Sequence, residues 1–186
     1  MLNQLLFPVA KRFVAGQTIQ EAISAVRHLN AFGILTTLDV LGENVSTRPA
    51  AEAAVAAYLE ALDWIQREGL SSNVSLKLTQ MGLDIDRDYC LENVARICER
   101  AAVGRNFVRI DMEGSAYTDR TLNLFYDLFR KHQNVGVVIQ AYLRRSEQDV
   151  RKLIQLGARV RLCKGAYKEP PSLAVQTMAA VRQNFI

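Results

Sequence analysis

NVGVVIQAYL, residues 134–143, is a nearly continuous apolar run in which Gln140 closes VGVVIQ. A strand covered on both faces, as in a parallel sheet, reads as such a nearly continuous run. Four other segments share the character: GILTTLDVLG at 33–42, NVSLKLTQMG at 73–82, NFVRIDMEG at 106–114 and ARVRLCKGAY at 158–167. Each is expected to form a buried strand. Between them the apolar period lengthens to that of a helix. Residues 50–68 place Ala54, Tyr58, Leu62 and Ile65 on one face, and 88–101 do the same with Leu91, Val94, Ala95 and Cys98. Residues 119–131 and 146–156 repeat the pattern. Pro49, Asp119 and Ser146 mark helix starts, and Gly69 and Gly157 mark stops. A further helix is expected over 18–30, with Ile19, Ala22, Ile23 and Val26 on one side. This alternation predicts the α/β class with a parallel sheet.

The 186 residues fit one domain with a sizeable core, 1–186, whose first 32 residues form an N-terminal helical segment. At 49% hydrophobic and 23% charged the chain is globular rather than disordered. Its +4 charge, 23 basic against 19 acidic residues, is scattered, so no nucleic-acid partner is expected. Cys90, Cys98 and Cys163 form no CxxC pair and imply a reducing compartment, the cytoplasm. His28 and His132 stand far apart, so no metal is expected. No apolar stretch approaches the roughly 18 residues of a membrane span. The opening MLNQLLFPVAKRFVAG has Lys11 and Arg12 after its apolar start, the wrong order for a secretory signal, and reads better as a helix of the domain.

A doubly wound sheet and a (β/α)8 barrel both accommodate this order. A dinucleotide-binding sheet carries G-x-G-x-x-G after its first strand, whereas LGENVST follows here. Polar residues instead recur at one end of successive strands: Lys77, Asp111, Gln140, and Arg161 with Lys164. In a barrel those ends converge on one mouth, where active sites sit.

Each candidate has a plainer alternative. Lys77, between Leu76 and Leu78, needs an anionic partner or a wet cavity, unless it guards an edge strand. Asp111 and Glu113 share a face, and one of them is expected to pair with Lys77; turn chemistry before Gly114 is the alternative. Gln140, a buried amide, suits a flat hydrogen-bonding heterocycle or a structural network. Arg159, Arg161 and Cys163 alternate to one face, and the turn Lys164-Gly165-Ala166-Tyr167 has a glycine that admits close backbone approach. Two cations and such a turn suggest an anionic or electron-rich ligand, a phosphate or a flavin. Tyr167 is equally well read as surface packing, and Cys163 better as apolar filler than as nucleophile. Arg144 and Arg145 are expected to be solvated loop charges.

In order, SLKLTQMGLDID, VRIDMEGSAYTD, VGVVIQAYLRRSEQDV and RVRLCKGAYKEP resemble the proline dehydrogenase family, and FVAGQTIQEAI and TLDVLGENV extend the resemblance over essentially the whole chain. It implies a distorted (β/α)8 barrel with noncovalent FAD, oxidation of L-proline to 1-pyrroline-5-carboxylate, and electron transfer to a membrane quinone through peripheral membrane contact. It implies that Lys77 and Asp111 lie at the proline site and that Asp111 also approaches the flavin. Gln140 would bond the isoalloxazine edge and Arg161 would lie near its reactive nitrogen. Lys164, Gly165 and Ala166 would contact the flavin, and Tyr167 would line the substrate pocket.

Only five of eight strands can be counted, whereas a full barrel takes about 250 residues. A Thr-His strand end and a late helix with an arginine pair, expected in the family, have no counterpart here. The chain is therefore expected to be a partial barrel, truncated after the fifth β/α unit, whose activity alone is open. Two copies closing one barrel is an option without positive sign in the sequence. The alternatives in function are a non-catalytic α/β scaffold or fragment and a lyase using Lys77 as a Schiff-base amine. Asp111 argues against the lyase by keeping the amine charged.

Overall fold

A computed structural model describes residues 14–186, which form α1 (Ile19–Ala31), β1 (Thr36–Asp39), α2 (Arg48–Arg67), β2 (Ser72–Leu76), α3 (Arg87–Val103), β3 (Val108–Ile110), α4 (Ser115–Phe129), β4 (Val135–Gln140), α5 (Ser146–Gln155), β5 (Val160–Cys163) and α6 (Met178–Phe185). The helix expected at the extreme N-terminus lies outside these residues over positions 1–13. All five strands are parallel and pair in chain order, β1-β2-β3-β4-β5, the arrangement of successive β/α units in a barrel wall.

The register sorts the side chains onto two faces. Val74, Val108 and Val135 form one row of the outer face, and Leu76, Ile110 and Val137 the next. All six are inaccessible to solvent. Helix α2 covers them with Val55 and Leu62, α3 with Val94 and Ile97, and α4 with Leu124, Phe125 and Leu128. Each such side chain contributes about 1.5–3 kcal/mol by burial. The inner face carries the polar residues, and its rows follow from the same register. Asp39, Ser75, Arg109 and Gly136 are level with one another. One step further, Val138 pairs with Arg161, and Gln140 pairs with Cys163 two residues on.

Helix ends follow local chemistry where the signal is local. Thr18 and Asp86 cap α1 and α3 by accepting from Glu21 N and Tyr89 N. A proline opens α2. Gly69 and Gly157 stop α2 and α5 with φ of 61° and 69°.

Two expectations need correction, and one alternative falls. Strands β1 and β5 are not buried; they are the sheet's edges, and β5 is half-exposed throughout. Lys77 is therefore no edge gatekeeper, because β2 lies between β1 and β3. Helix α4 begins at Ser115, before Asp119, because its cap comes from elsewhere in the chain: Ser115 N and Oγ donate to the Glu169 carboxylate at 2.7 and 2.5 Å.

Candidate active site

The C-terminal ends of the strands bring Asp39, Lys77, Asp111, Gln140 and Arg161 to one mouth. Lys77 is the first residue past β2 and Asp111 the first past β3, so each retains the inward direction of its strand. The expected pairing of Lys77 with Asp111 or Glu113 is not what forms. Lys77 Nζ lies 3.4 Å from Asp39 Oδ2, on the neighbouring β1. Asp111 instead accepts from Ser75 Oγ at 2.5 Å and from Arg161 Nη2 at 2.5 Å. Arg161 belongs to β5 and reaches Asp111 over the intervening β4. That contact requires the sheet to curl, so the inner face is concave. The Asp111 side chain is 15% exposed and that of Arg161 41%, which leaves the guanidinium open to the mouth.

Glu113 points the other way. Its buried carboxylate accepts from Thr79 N at 3.2 Å and Thr79 Oγ1 at 2.6 Å, which makes it turn chemistry. Burial pushes its pKa up, opposed by these two hydrogen bonds. Thr79 in turn accepts from Asn44 N, and Gln80 Nε2 donates to Val40 O. The β1–α2 and β2–α3 connections are thereby fastened together beside the mouth.

Gln140 is the last residue of β4 and is buried. Its Nε2 donates to Met112 O and Glu113 O, both at 2.9 Å. Two carbonyls on one side identify that atom as the amide nitrogen. Its Oε1 is buried without a hydrogen-bond partner among the described residues. An orphaned buried acceptor is rare in a folded protein and fits a ligand N–H donor. The pyrimidine edge of a flavin offers one.

Beyond β5 the chain turns at Gly165, whose φ of 106° excludes a side chain. A Cβ there would lie 2.2 Å from the Tyr142 ring, so the glycine accommodates Tyr142 as well as the turn. Lys164, Gly165 and Tyr167 line a cavity of about 290 Å³ with Tyr142, Glu169 and Val181. Tyr167 is 37% exposed within it, and burial pushes its phenol up. Ala166 is exposed at the same turn. Cys163 is half-buried, and burial raises its thiol, consistent with a filler.

Arg144 and Arg145 are not simply solvated. Arg144 Nε donates to Pro171 O at 2.9 Å. Arg145 grips the buried Asp149 through Nε at 2.6 Å and Nη2 at 3.1 Å, and holds Asp119 through Nη1 at 2.7 Å. These bonds push its pKa up, that to Asp149 most.

Sequence reasoning missed Asp39, Ser75 and Tyr58. The signal for Asp39 was present in TTLD, where it shares the inward face with Thr37 at the end of the first strand. Among the described residues no group of His, Cys, Asp or Glu could hold a metal ion, and no helix is long and apolar enough to cross a membrane.

The family model for proline dehydrogenase matches residues 22–177, a span that contains every residue of this mouth. The chain belongs to the proline dehydrogenase family. Proline dehydrogenase 2 of Bacillus subtilis (strain 168) is 36% identical over 176 residues, covering 95% of this chain and 58% of that protein. Proline dehydrogenase of Deinococcus radiodurans is 34% identical over 190 residues, covering 100% of this chain and 61% of the relative. This family member therefore spans about three fifths of the length of these two relatives. In fold it resembles the crystal structure of proline utilization A (PutA) from Bdellovibrio bacteriovorus inactivated by N-propargylglycine, with a TM-score of 0.85 and 23% identity over 97% of this chain and 24% of that one. The five parallel strands and their helices thus match a partial (β/α) barrel.

Proposed function

We propose that this chain forms the flavin-facing wall of a site that oxidises L-proline to 1-pyrroline-5-carboxylate. The observation that carries the reading is the convergence of Lys77, Asp111, Arg161 and the unpartnered Gln140 Oε1 on one mouth, within the span matched by the family. Gln140, Arg161, Lys164, Gly165 and Ala166 would hold FAD noncovalently, with Asp111 beside it. When bound, FAD supplies the two-electron acceptor for a carbon–hydrogen bond.

The chain's own residues prepare that reaction electrostatically. Lys77, fixed by Asp39, presents an ammonium suited to the carboxylate of an amino-acid substrate. Asp111 cannot rotate freely, because Ser75 and Arg161 each hold it. Arg161 in return is fixed as a cation facing the electron-rich ligand. Tyr167 closes one side of the pocket with an aromatic face. The Lys77–Asp39 pair keeps the amine engaged and argues against Schiff-base chemistry. Transfer of electrons to a membrane quinone, peripheral membrane contact from the cytoplasm, and a single domain over residues 1–186 belong to the same proposal.

The test is FAD binding, read by quenching of flavin fluorescence on titration with the full chain. Saturable binding is expected, weakened about tenfold in Arg161→Met, the loss of one charge-assisted contact. Equal affinity in the two proteins would overturn the assignment of Arg161 to the flavin.

A further inference from the structure

We propose that Asp39, held by the phenol of Tyr58, is the positioning residue that sets the Lys77 ammonium in the mouth. The proposal rests on the reading of Lys77 as a site residue. The two oxygens of Asp39 have different partners: Oδ2 faces Lys77 Nζ at 3.4 Å, and Oδ1 lies 3.0 Å from the Tyr58 hydroxyl. The carboxylate is thus held from both ends.

Tyr58 lies on the inner side of α2 and is inaccessible to solvent. A phenylalanine would fill the same apolar face. The hydroxyl is placed by three groups besides Asp39: it accepts from Val40 N at 3.2 Å, lies 2.8 Å from Ser75 O, and stands 3.4 Å from Gln80 Oε1. With one proton to give, it favours the ionised acceptor, because a hydrogen bond to a carboxylate is the stronger one. Burial and the neighbouring Asp39 push the phenol's pKa up, so the proton stays on it.

The placement also couples two ion pairs. Ser75, whose carbonyl lies beside Tyr58, donates its hydroxyl to Asp111, the partner of Arg161. Lys77–Asp39 and Asp111–Arg161 are therefore linked in series through the Tyr58 phenol and Ser75. As a staple between β1 and β2 the Lys77–Asp39 pair is worth little, since both side chains keep some exposure, 19% and 31%. Its effect is on where the amine sits and how accessible it is.

The experiment is site-resolved labelling of lysines in the full chain with an amine acylating reagent at neutral pH, read by peptide mass spectrometry. Asp39→Asn is expected to raise the labelling rate of Lys77 by about threefold or more, the factor set by losing a half-screened ion pair. Asp39→Glu restores the slow rate, and Tyr58→Phe gives an intermediate one, while the exposed Lys131 and Lys152 stay unchanged in all variants. An unchanged Lys77 rate in Asp39→Asn overturns the proposal, and so does a rise at all three lysines, which would mean general loosening. FAD titration of the same samples separates this from the functional reading. Lys77 labelling that follows Asp39 where no FAD binds supports the positioning pair and counts against the flavin site alone.

Discussion

Arg145→Met should destabilise the protein far more than a surface arginine would. An exposed ion pair is worth about 0–1 kcal/mol, whereas breaking a buried one costs about 3–5 kcal/mol because a charge is left without compensation. This pair lies between the limits: the Asp149 side chain is 3% exposed and that of Arg145 37%. The geometry is bidentate, at 2.6 and 3.1 Å, which favours the upper part of the range. Asp149 also lies in the first turn of α5, where the helix dipole offsets part of the loss. A cost of about 2 kcal/mol follows. With a urea slope of about 2 kcal/mol per M, the midpoint falls by about 1 M with the slope unchanged. Arg151→Met provides the control, because Arg151 pairs with Glu147 on the same helix with both side chains about 70% exposed, and should shift stability by under about 0.5 kcal/mol. The double variant Arg145→Met with Asp149→Asn should recover much of the loss, since the buried charge is then gone. If Arg145→Met unfolds at the same urea concentration as Arg151→Met, the reasoning fails.

Glu169→Ala removes the only side-chain cap described for α4 and should cost about 1–2 kcal/mol, seen as a lower thermal midpoint. Glu113 titrates above the ordinary 4.5 because of burial, so the folded state holds its proton more tightly than the unfolded one. Its contribution is fully present below that ordinary value and is lost as pH rises through the raised one. Wild type should therefore lose stability relative to Glu113→Gln between acid and neutral pH, measured by denaturation at several pH values. Gly165→Ala combines left-handed strain of about 1–3 kcal/mol with overlap against Tyr142. Adding Tyr142→Ala should relieve the overlap and leave the backbone strain, as a urea titration of the pair would show.

Much of this architecture is legible in the sequence. The central strands β2, β3 and β4 announce themselves because helices cover their outer face completely, and the apolar residues at 74, 76, 108, 110, 135 and 137 leave no other use for them. The edges were misjudged, since an apolar run does not reveal how many neighbours its strand has. Helix α4 was started too late for a related reason: its cap, Glu169, lies 54 residues from Ser115, and local capping rules see only a few positions ahead. At the mouth, alternation correctly placed Lys77, Asp111, Gln140 and Arg161 on one face. It looked for the partner of Lys77 only in Asp111 or Glu113 and overlooked Asp39, although β2 has an acid-bearing strand on each side. Long-range arginine reach decided the pairing, with Arg161 crossing β4 to take Asp111 and leaving Asp39 for the lysine.

The most direct test of the proline-oxidising reading is the visible absorption spectrum of the full chain, purified with FAD supplied, before and after anaerobic addition of L-proline. The account predicts that the oxidised flavin band bleaches in the wild-type protein and persists in Lys77→Met. A bound flavin that stays oxidised in the wild type under excess L-proline would contradict it.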